Sequence, residues 1–390
     1  MLDQLDLFDD ESTRSGRHRR RRKEGRAVRS AITFLITIVI LGLLAVGGWV
    51  GFQKVSDLLQ APDYPGPGSG KVTVVVKTGD YANDIGNELY EKGVVKSAAA
   101  FADAADADSR SREIQPGAYQ LKKQMRAKDA LAALLDPKNK LVDRVTIPEG
   151  QSNARTYKVL SERLKLPLSD FQKLDKQPKE FGIDDAWFTR SDKKKVTPSL
   201  EGFLYPSTYE FAPGTTAVEA LQQMVDQFLG VAEELDLQNA AAQKGITPYD
   251  ALIVASLGEA EVIPKDLPKV TRVIYNRLNS PDAWMRKLQF DSTTNYWLEK
   301  QGKPRKDSSG LTSAELNDPK NPYSTHAYAG LPPGPIGNPS KAALLAAVNP
   351  AQGKWLFFVA IDKEGNSAFA VTLAEHERNI ELCKKRHAGC

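Results

Sequence analysis

The sequence predicts an α+β protein built as an N-terminal transmembrane helix, a small α+β module and a larger α+β domain, and three observations lead there. An uncharged apolar run, AITFLITIVILGLLAVGGWVGF, fills residues 31–52 and exceeds the ~20 residues that a hydrocarbon core requires. A proline- and glycine-rich stretch, APDYPGPGSG at 61–70, then interrupts the chain. Beyond it, short runs of strand character are interleaved with runs of helical periodicity. With 390 residues and 41% apolar content, the chain can bury a sizeable core in more than one domain.

Residues 1–30 are acidic and then basic (RHRRRRKEGR), with few apolar side chains to pack, so a disordered cytoplasmic tail is expected. The arginines between Arg14 and Arg29 hold it inside and leave everything after Gln53 outside, a single pass through the cell membrane. A cleaved signal peptide is the rival reading, but the run outlasts an h-region and no small-x-small site follows it. Trp49 falls near the outer interface. Gly47 and Gly51 have a helix-pairing spacing in a kind of segment where glycine is common anyway. The net charge is only +4 and the basic excess sits in this tail, so no nucleic-acid partner is expected.

Residues 53–70 form a linker. Within 71–140, KVTVVVKTGD reads as a strand and turn, DIGNELYEKGVV and SAAAFADAADA as helices, PGAYQLKKQM as a returning strand and AKDALAALLD as a helix. That order resembles a LysM-type glycan-binding module; a plain spacer is the alternative. In residues 141–390 the strand DRVTIPEG comes first, then helices in QSNARTYKVLSERL and PLSDFQKLDKQ. SLEGFLYPSTYEF looks like an exposed, turn-rich segment, and TAVEALQQMVDQFLGVAEEL is an amphipathic helix. LPKVTRVIYNRLN is helical, with Val270, Val273, Ile274 and Arg277 at helical spacing. The chain is then loop-rich as far as KAALLAAVNP. KWLFFVAID and NSAFAVTL make a hairpin around DKEGN, and AEHERNIELCKKR is a last helix. The two cysteines, Cys383 and Cys390, close a small disulfide loop if the region lies outside the cell, or are two free thiols.

Chemistry concentrates in Thr247–Val262, TPYDALIVASLGEAEV. Thr247 suits a helix cap, Pro248 the first helical position, and Asp250 the positive end of the dipole. At ~100° per residue Glu261 falls on the stripe of Ile253, Val254 and Leu257, while Glu259 projects nearly opposite, with Leu252, Ala255 and Ser256. A carboxyl ending an apolar stripe is desolvated, which raises its pKa and suits a proton donor. The alternative is that both acids end the helix in solvent before Pro264.

Three stretches carry a resemblance: IPEGQS (Ile147 to Ser152), LEGFLYPSTYEF (Leu200 to Phe211), and the run ASLGEAEV, RVIYNRL, LQFDSTTNY and NPYSTHAYAGLPPGPIGNPS between Ala255 and Ser340. Together they resemble the YceG-like family of membrane-anchored endolytic murein transglycosylases over roughly residues 31–380. The resemblance implies cleavage of the β-1,4 bond between N-acetylmuramic acid and N-acetylglucosamine within a glycan strand, leaving 1,6-anhydro ends and terminating nascent strands. It places the catalytic glutamate at the second acid of an E-x-E element, Glu261. Supporting or substrate-binding roles would fall to Glu259, Glu201, Asn276, Arg277, Gln289, Asp291, Thr293 and Tyr323. A hydrolase would need a second carboxylate, for which Asp291 and Glu201 are the candidates; otherwise they would orient Gln289, Asn276 or the acetamido group. The chain departs from the family pattern at Tyr323, Ser324, Thr325 and His326, where Tyr-Asn-Thr-Tyr is usual. It departs again at Asp291, Ser292 and Thr293, where Asp-Pro-Thr is frequent. His326 reads as an exposed structural histidine and His376, between Glu375 and Glu377, as part of a solvated helix face. LPPGP, Leu331 to Pro335, is a rigid turn that would wall a cleft and hold Tyr323. No cofactor or metal is expected. Expected partners are peptidoglycan glycan strands, the cell membrane and cell-wall synthesis proteins. The reading from another class is a silent membrane scaffold that binds glycan without cutting it.

Overall fold

The protein was analysed as a computed structural model that describes residues 34–50, 61–77 and 79–386. Residues 34–50 form a helix, α1, whose apolar side chains are all exposed. Among the described residues no helix is long and apolar enough to cross a membrane, and the rest of the expected 31–52 span, like the 1–30 tail, lies outside them.

The chain divides into two compact units, Met1–Gln115 with Leu121–Asp136, and Pro116–Gln120 with Pro137–Cys390. In the first, the elements run β1 (Pro67–Val76), α2 (Ala82–Glu91), α3 (Ala98–Ala107), the part of β2 (Gly117–Met125) from Leu121 on, and α4 (Ala127–Leu135). Leu89, Phe101 and Ala130 are fully buried here, and Ser97 caps α3 by accepting the Ala100 N–H at 3.2 Å. The strand starts inside the expected linker. Gly68 has φ of +74°, and a Cβ there would lie 2.5 Å from the Lys123 carbonyl oxygen, so glycine is what lets β1 begin so early.

In the second unit Ala118 and Tyr119 of β2 pair antiparallel with Leu141 and Lys140 of β3 (Lys140–Leu141). Next come β4 (Asp143–Thr146), α5 (Asn153–Leu164), α6 (Leu168–Leu174) and β5 (Thr208–Phe211), with β4 and β5 antiparallel in the register Asp143↔Phe211 to Thr146↔Thr208. Helices α7 (Ala217–Glu234), α8 (Leu237–Gln243), α9 (Pro248–Glu261), α10 (Leu267–Leu278), α11 (Asp291–Lys300), α12 (Ser313–Leu316) and α13 (Lys341–Val348) follow. The hairpin β6 (Phe357–Ala360) and β7 (Ser367–Ala370) and helix α14 (Leu373–Arg386) end the unit.

The centre is α9, in contact with α8, α10, α11 and α13. Every residue from Tyr249 to Gly258 is buried, so the helix is enclosed on all sides and carries no single apolar stripe. Leu252, Ile253, Val254 and Leu257 are wholly inaccessible, each burial stabilising by roughly 1.5–3 kcal/mol. Three other expectations are corrected. SLEGFLYPSTYEF is not exposed: Leu200, Phe203 and Leu204 are fully buried, Phe203 meeting Trp187 and Phe228 edge to face, and the segment ends in β5. The stretch expected to be loop before KAALLAAVNP contains α11 and α12. His376 is no solvated face either, since it stacks on Phe357 at 5.1 Å and burial lowers its pKa. Cys383 is fully buried and disulfide-bonded; Cys390 lies outside the described residues.

Candidate active site

Helix α9 starts as its sequence requires. The Thr247 hydroxyl accepts the Asp250 N–H at 3.1 Å, and the Thr247 N–H returns to Asp250 Oδ2 at 3.3 Å. The helix ends at Glu261, where Val262 turns extended. Glu261 keeps partial exposure, yet its carboxyl is desolvated enough to lift the pKa to about 7. Burial is the main cause. Nearby Ser292, whose buried hydroxyl has no hydrogen-bond partner among the described residues, opposes it, the Asp291 charge adds to it, and His326 again opposes it. The side chain is therefore an acid poised to release or take a proton near neutrality.

The opposite wall is the start of α11. Asp291 Oδ1 lies 3.0 Å from His326 Nε2, and that bond holds the Asp291 pKa below its ordinary value against the opposing effect of burial. His326, at 16% side-chain exposure, is thus a partner of Asp291 and not the exposed histidine expected from the sequence. Thr293 is fully buried and donates its hydroxyl to the Phe290 carbonyl at 2.7 Å, with Thr325 Oγ1 3.2 Å away. The Phe290 N–H donates to Thr325 Oγ1 at 2.8 Å and the Gln289 N–H to the Thr325 carbonyl at 3.1 Å, so the segment before α11 and the loop carrying His326 are stitched together.

Glu201 belongs to a separate, sealed network. It accepts the Asn153 N–H at 2.9 Å on Oε1, while its Oε2 meets the Tyr296 hydroxyl at 2.9 Å. Burial, then the charge of Asp175, raise its pKa to about 8, against smaller opposing effects of Asn153, Tyr296 and Lys300. Tyr296 in turn packs edge to face on Tyr323 at 4.8 Å. Asn338 links this region to the rest: its amide donates to the Gln151 carbonyl and to Asn153 Oδ1, both at 2.9 Å, and its Oδ1 accepts the Gly202 and Leu204 N–H groups at 3.0 and 2.9 Å. Every hydrogen-bonding group of that buried side chain is used.

Other residues singled out from the sequence are engaged by groups of the protein itself. Glu259 Oε2 accepts both the N–H (2.9 Å) and the hydroxyl of Ser340, the cap of α13. Asn276 donates to the Gly353 and Trp355 carbonyls at 3.1 and 2.9 Å. Arg277, with burial lowering its pKa to about 10, gives its fork to the Met285 and Lys287 carbonyls and to Gln289 Oε1 at 3.1, 2.6 and 2.7 Å. Gln289 sits in left-handed backbone at φ +61° and is held there by these bonds. So Asp291 and Glu201 orient neither Gln289 nor Asn276, as their protein partners lie elsewhere. Sequence reasoning overlooked Ser292, Asn153, Tyr296 and Asn338. Ser292, Tyr296 and Asn338 lie within the stretches that carry the resemblance, and Ser292 also stands beside Asp291.

The family whose sequence pattern matches residues 74–382 is described as the YceG-like family. An endolytic murein transglycosylase of Streptococcus pneumoniae R6 is 30% identical over 364 residues, which cover 88% of this chain and 63% of that one. One from Bacillus subtilis 168 is 28% identical over 319 residues, covering 80% of this chain and 84% of the other. The chain thus spans less than two thirds of the streptococcal relative's length. A crystal structure of a YceG-like protein of Listeria monocytogenes superposes with a TM-score of 0.51 at 26% identity, over 79% of this chain and 99% of that one.

Proposed function

We propose, because the chain belongs to the YceG-like family, that it is an endolytic transglycosylase of peptidoglycan, cutting the β-1,4 bond between N-acetylmuramic acid and N-acetylglucosamine with Glu261 as sole acid and base. The observation that carries the proposal is the Glu261 carboxyl, desolvated at the end of a helix buried from Tyr249 to Gly258, with its pKa raised to about 7. Protonated Glu261 gives its proton to the glycosidic oxygen as the bond from the muramic C1 breaks. The resulting carboxylate then takes the proton of the muramic C6 hydroxyl as that oxygen closes on C1. No water is consumed, and the carboxyl ends protonated as it began. Asp291, kept ionised by His326, supplies negative charge beside the cationic transition state. Ser292, whose buried hydroxyl has no other partner among the described residues, is the nearby group that could donate to the carboxylate between the two steps.

Around this centre the reading assigns residues 31–52 to a membrane anchor with the N-terminus inside, 71–140 to a LysM-like glycan-binding module and 141–390 to the catalytic domain. Cell-wall synthesis proteins are the expected neighbours, with nascent strands as substrate. Mass spectrometry of purified peptidoglycan after incubation with the full chain tests it. Anhydro ends are expected. Reducing ends would instead make the protein a hydrolase with Asp291 as second carboxylate, and unchanged glycan would make it a binding scaffold.

A further inference from the structure

Outside the Glu261 centre, a cavity of ≈ 500 Å³ opens along the Leu331–Pro333 wall, lined among others by Lys194, Lys195, Lys320, Trp297, Tyr328 and Thr325. Its lining includes three lysines and no acid. The wall is rigidly held. Arg190, 1% exposed in its side chain, donates to the Leu331 and Pro332 carbonyls and forks onto Asp192 with both bonds at 2.8 Å. Asp192 also takes Lys194 Nζ at 3.3 Å, and that ammonium stands 3.9 Å from where a Cβ on Gly330 would lie. Lys195 and Lys320 are exposed; Asp318, whose Oδ1 accepts the Lys320 N–H at 2.9 Å, is the acid beside the latter. With Asp192 answered by Arg190, the lysines leave a surplus of positive charge.

The cavity touches the catalytic neighbourhood through one loop. Thr325 lines it, and the next residue, His326, bonds Asp291 beside Glu261. Adjacent Cα atoms are about 3.8 Å apart, so one short loop is common to the cavity and to the Glu261 neighbourhood. We infer that the Lys194–Lys195–Lys320 cavity is a subsite for the carboxylate-bearing stem peptide of the muramic sugar, with Trp297 and Tyr328 packing against its apolar side chains. This rests on the transglycosylase reading but is tested by binding, not cleavage.

The full chain carrying Glu261→Gln is titrated calorimetrically with glycan fragments of one length, either peptide-bearing, peptide-bearing with capped carboxyls, or stripped of peptide by an amidase. The peptide-bearing fragment is expected to bind most tightly and more weakly as salt rises. Lys195→Glu with Lys320→Glu should weaken that fragment about tenfold and leave the stripped one unchanged. Lys194→Ala, made separately because Lys194 also braces Asp192, should shift the peptide-bearing Kd in the same direction. Equal weakening of both fragments, no weakening, or equal affinity for capped and free carboxyls would overturn the inference. Absence of anhydro product from the unmutated chain would defeat the transglycosylase reading and still leave these binding differences measurable.

Discussion

Two carboxyls in the larger unit have raised pKa values for the same leading reason, burial, yet they sit in opposite kinds of place. Glu261, at about 7, ends a helix with part of its surface open and faces Ser292, Asp291 and His326. Glu201, at about 8, is closed in, with one oxygen on a backbone N–H and the other on the Tyr296 hydroxyl. Burial alone makes a carboxyl hold its proton; access decides whether that proton can be delivered to a substrate. The second site shows what the first would be without its opening: a neutral hydrogen-bonding post.

The largest effect that would sharpen this contrast is expected from Glu261→Gln. Turnover to anhydro ends should fall by about 10²- to 10⁴-fold while glycan binding persists, whereas Glu201→Gln, one neutral group for another, should keep most activity. Comparable losses in both variants would erase the distinction. Next comes Glu201→Leu, which leaves the Asn153 N–H and Tyr296 hydroxyl without their acceptor. Thermal unfolding should report a loss of about 1–3 kcal/mol for each orphaned group.

The pH dependence separates the sites further. As a general acid Glu261 is active when protonated, so kcat should decline as pH rises through about 7. For stability, each folded carboxyl keeps its proton above the ordinary value of 4.5, so the folded state binds the extra proton. Their contribution is full below pH 4.5 and is lost as pH rises through about 7 for Glu261 and about 8 for Glu201. Melting temperatures across pH 5–9 should show Glu201→Gln removing the upper part of that slope. If the slope is unchanged, Glu201 is not neutral in the folded protein. The smallest effect is expected from Glu259→Gln, which keeps an acceptor for Ser340 but weakens a charge-assisted cap, about 1 kcal/mol with activity within tenfold.

How far the sequence revealed this arrangement depends on which signal was used. The caps of α9 and the hairpin at β6 and β7 follow local rules and were readable as such. The helix-face argument for Glu261 chose its residue from a stripe that does not exist, because α9 is enclosed on every side and periodicity carries no information in such a helix. Helix α11 was hidden by its own composition: Ser292, Thr293, Thr294 and Asn295 are poor helix formers whose side chains compete for the backbone, and only packing overrides them. In SLEGFLYPSTYEF the Gly, Pro and Ser signals for a turn outweighed Leu200, Phe203 and Leu204, which bury it. Asn276 and Arg277 announce donors, but their acceptors are carbonyls 8–79 residues away, and a chain does not show where its carbonyls will arrive.

Asn338 gives that distance a duration. The N–H groups of Gly202 and Leu204 wait for an oxygen 136 and 134 residues further along, and Gln151 waits 187 for its donor. At about 5–20 residues per second of synthesis, the turn around Phe203 exists for roughly 7 to 27 s before its anchoring side chain has been made. Until then its amides have only water, and the phenylalanine that belongs at the centre of the core has nothing to close over it.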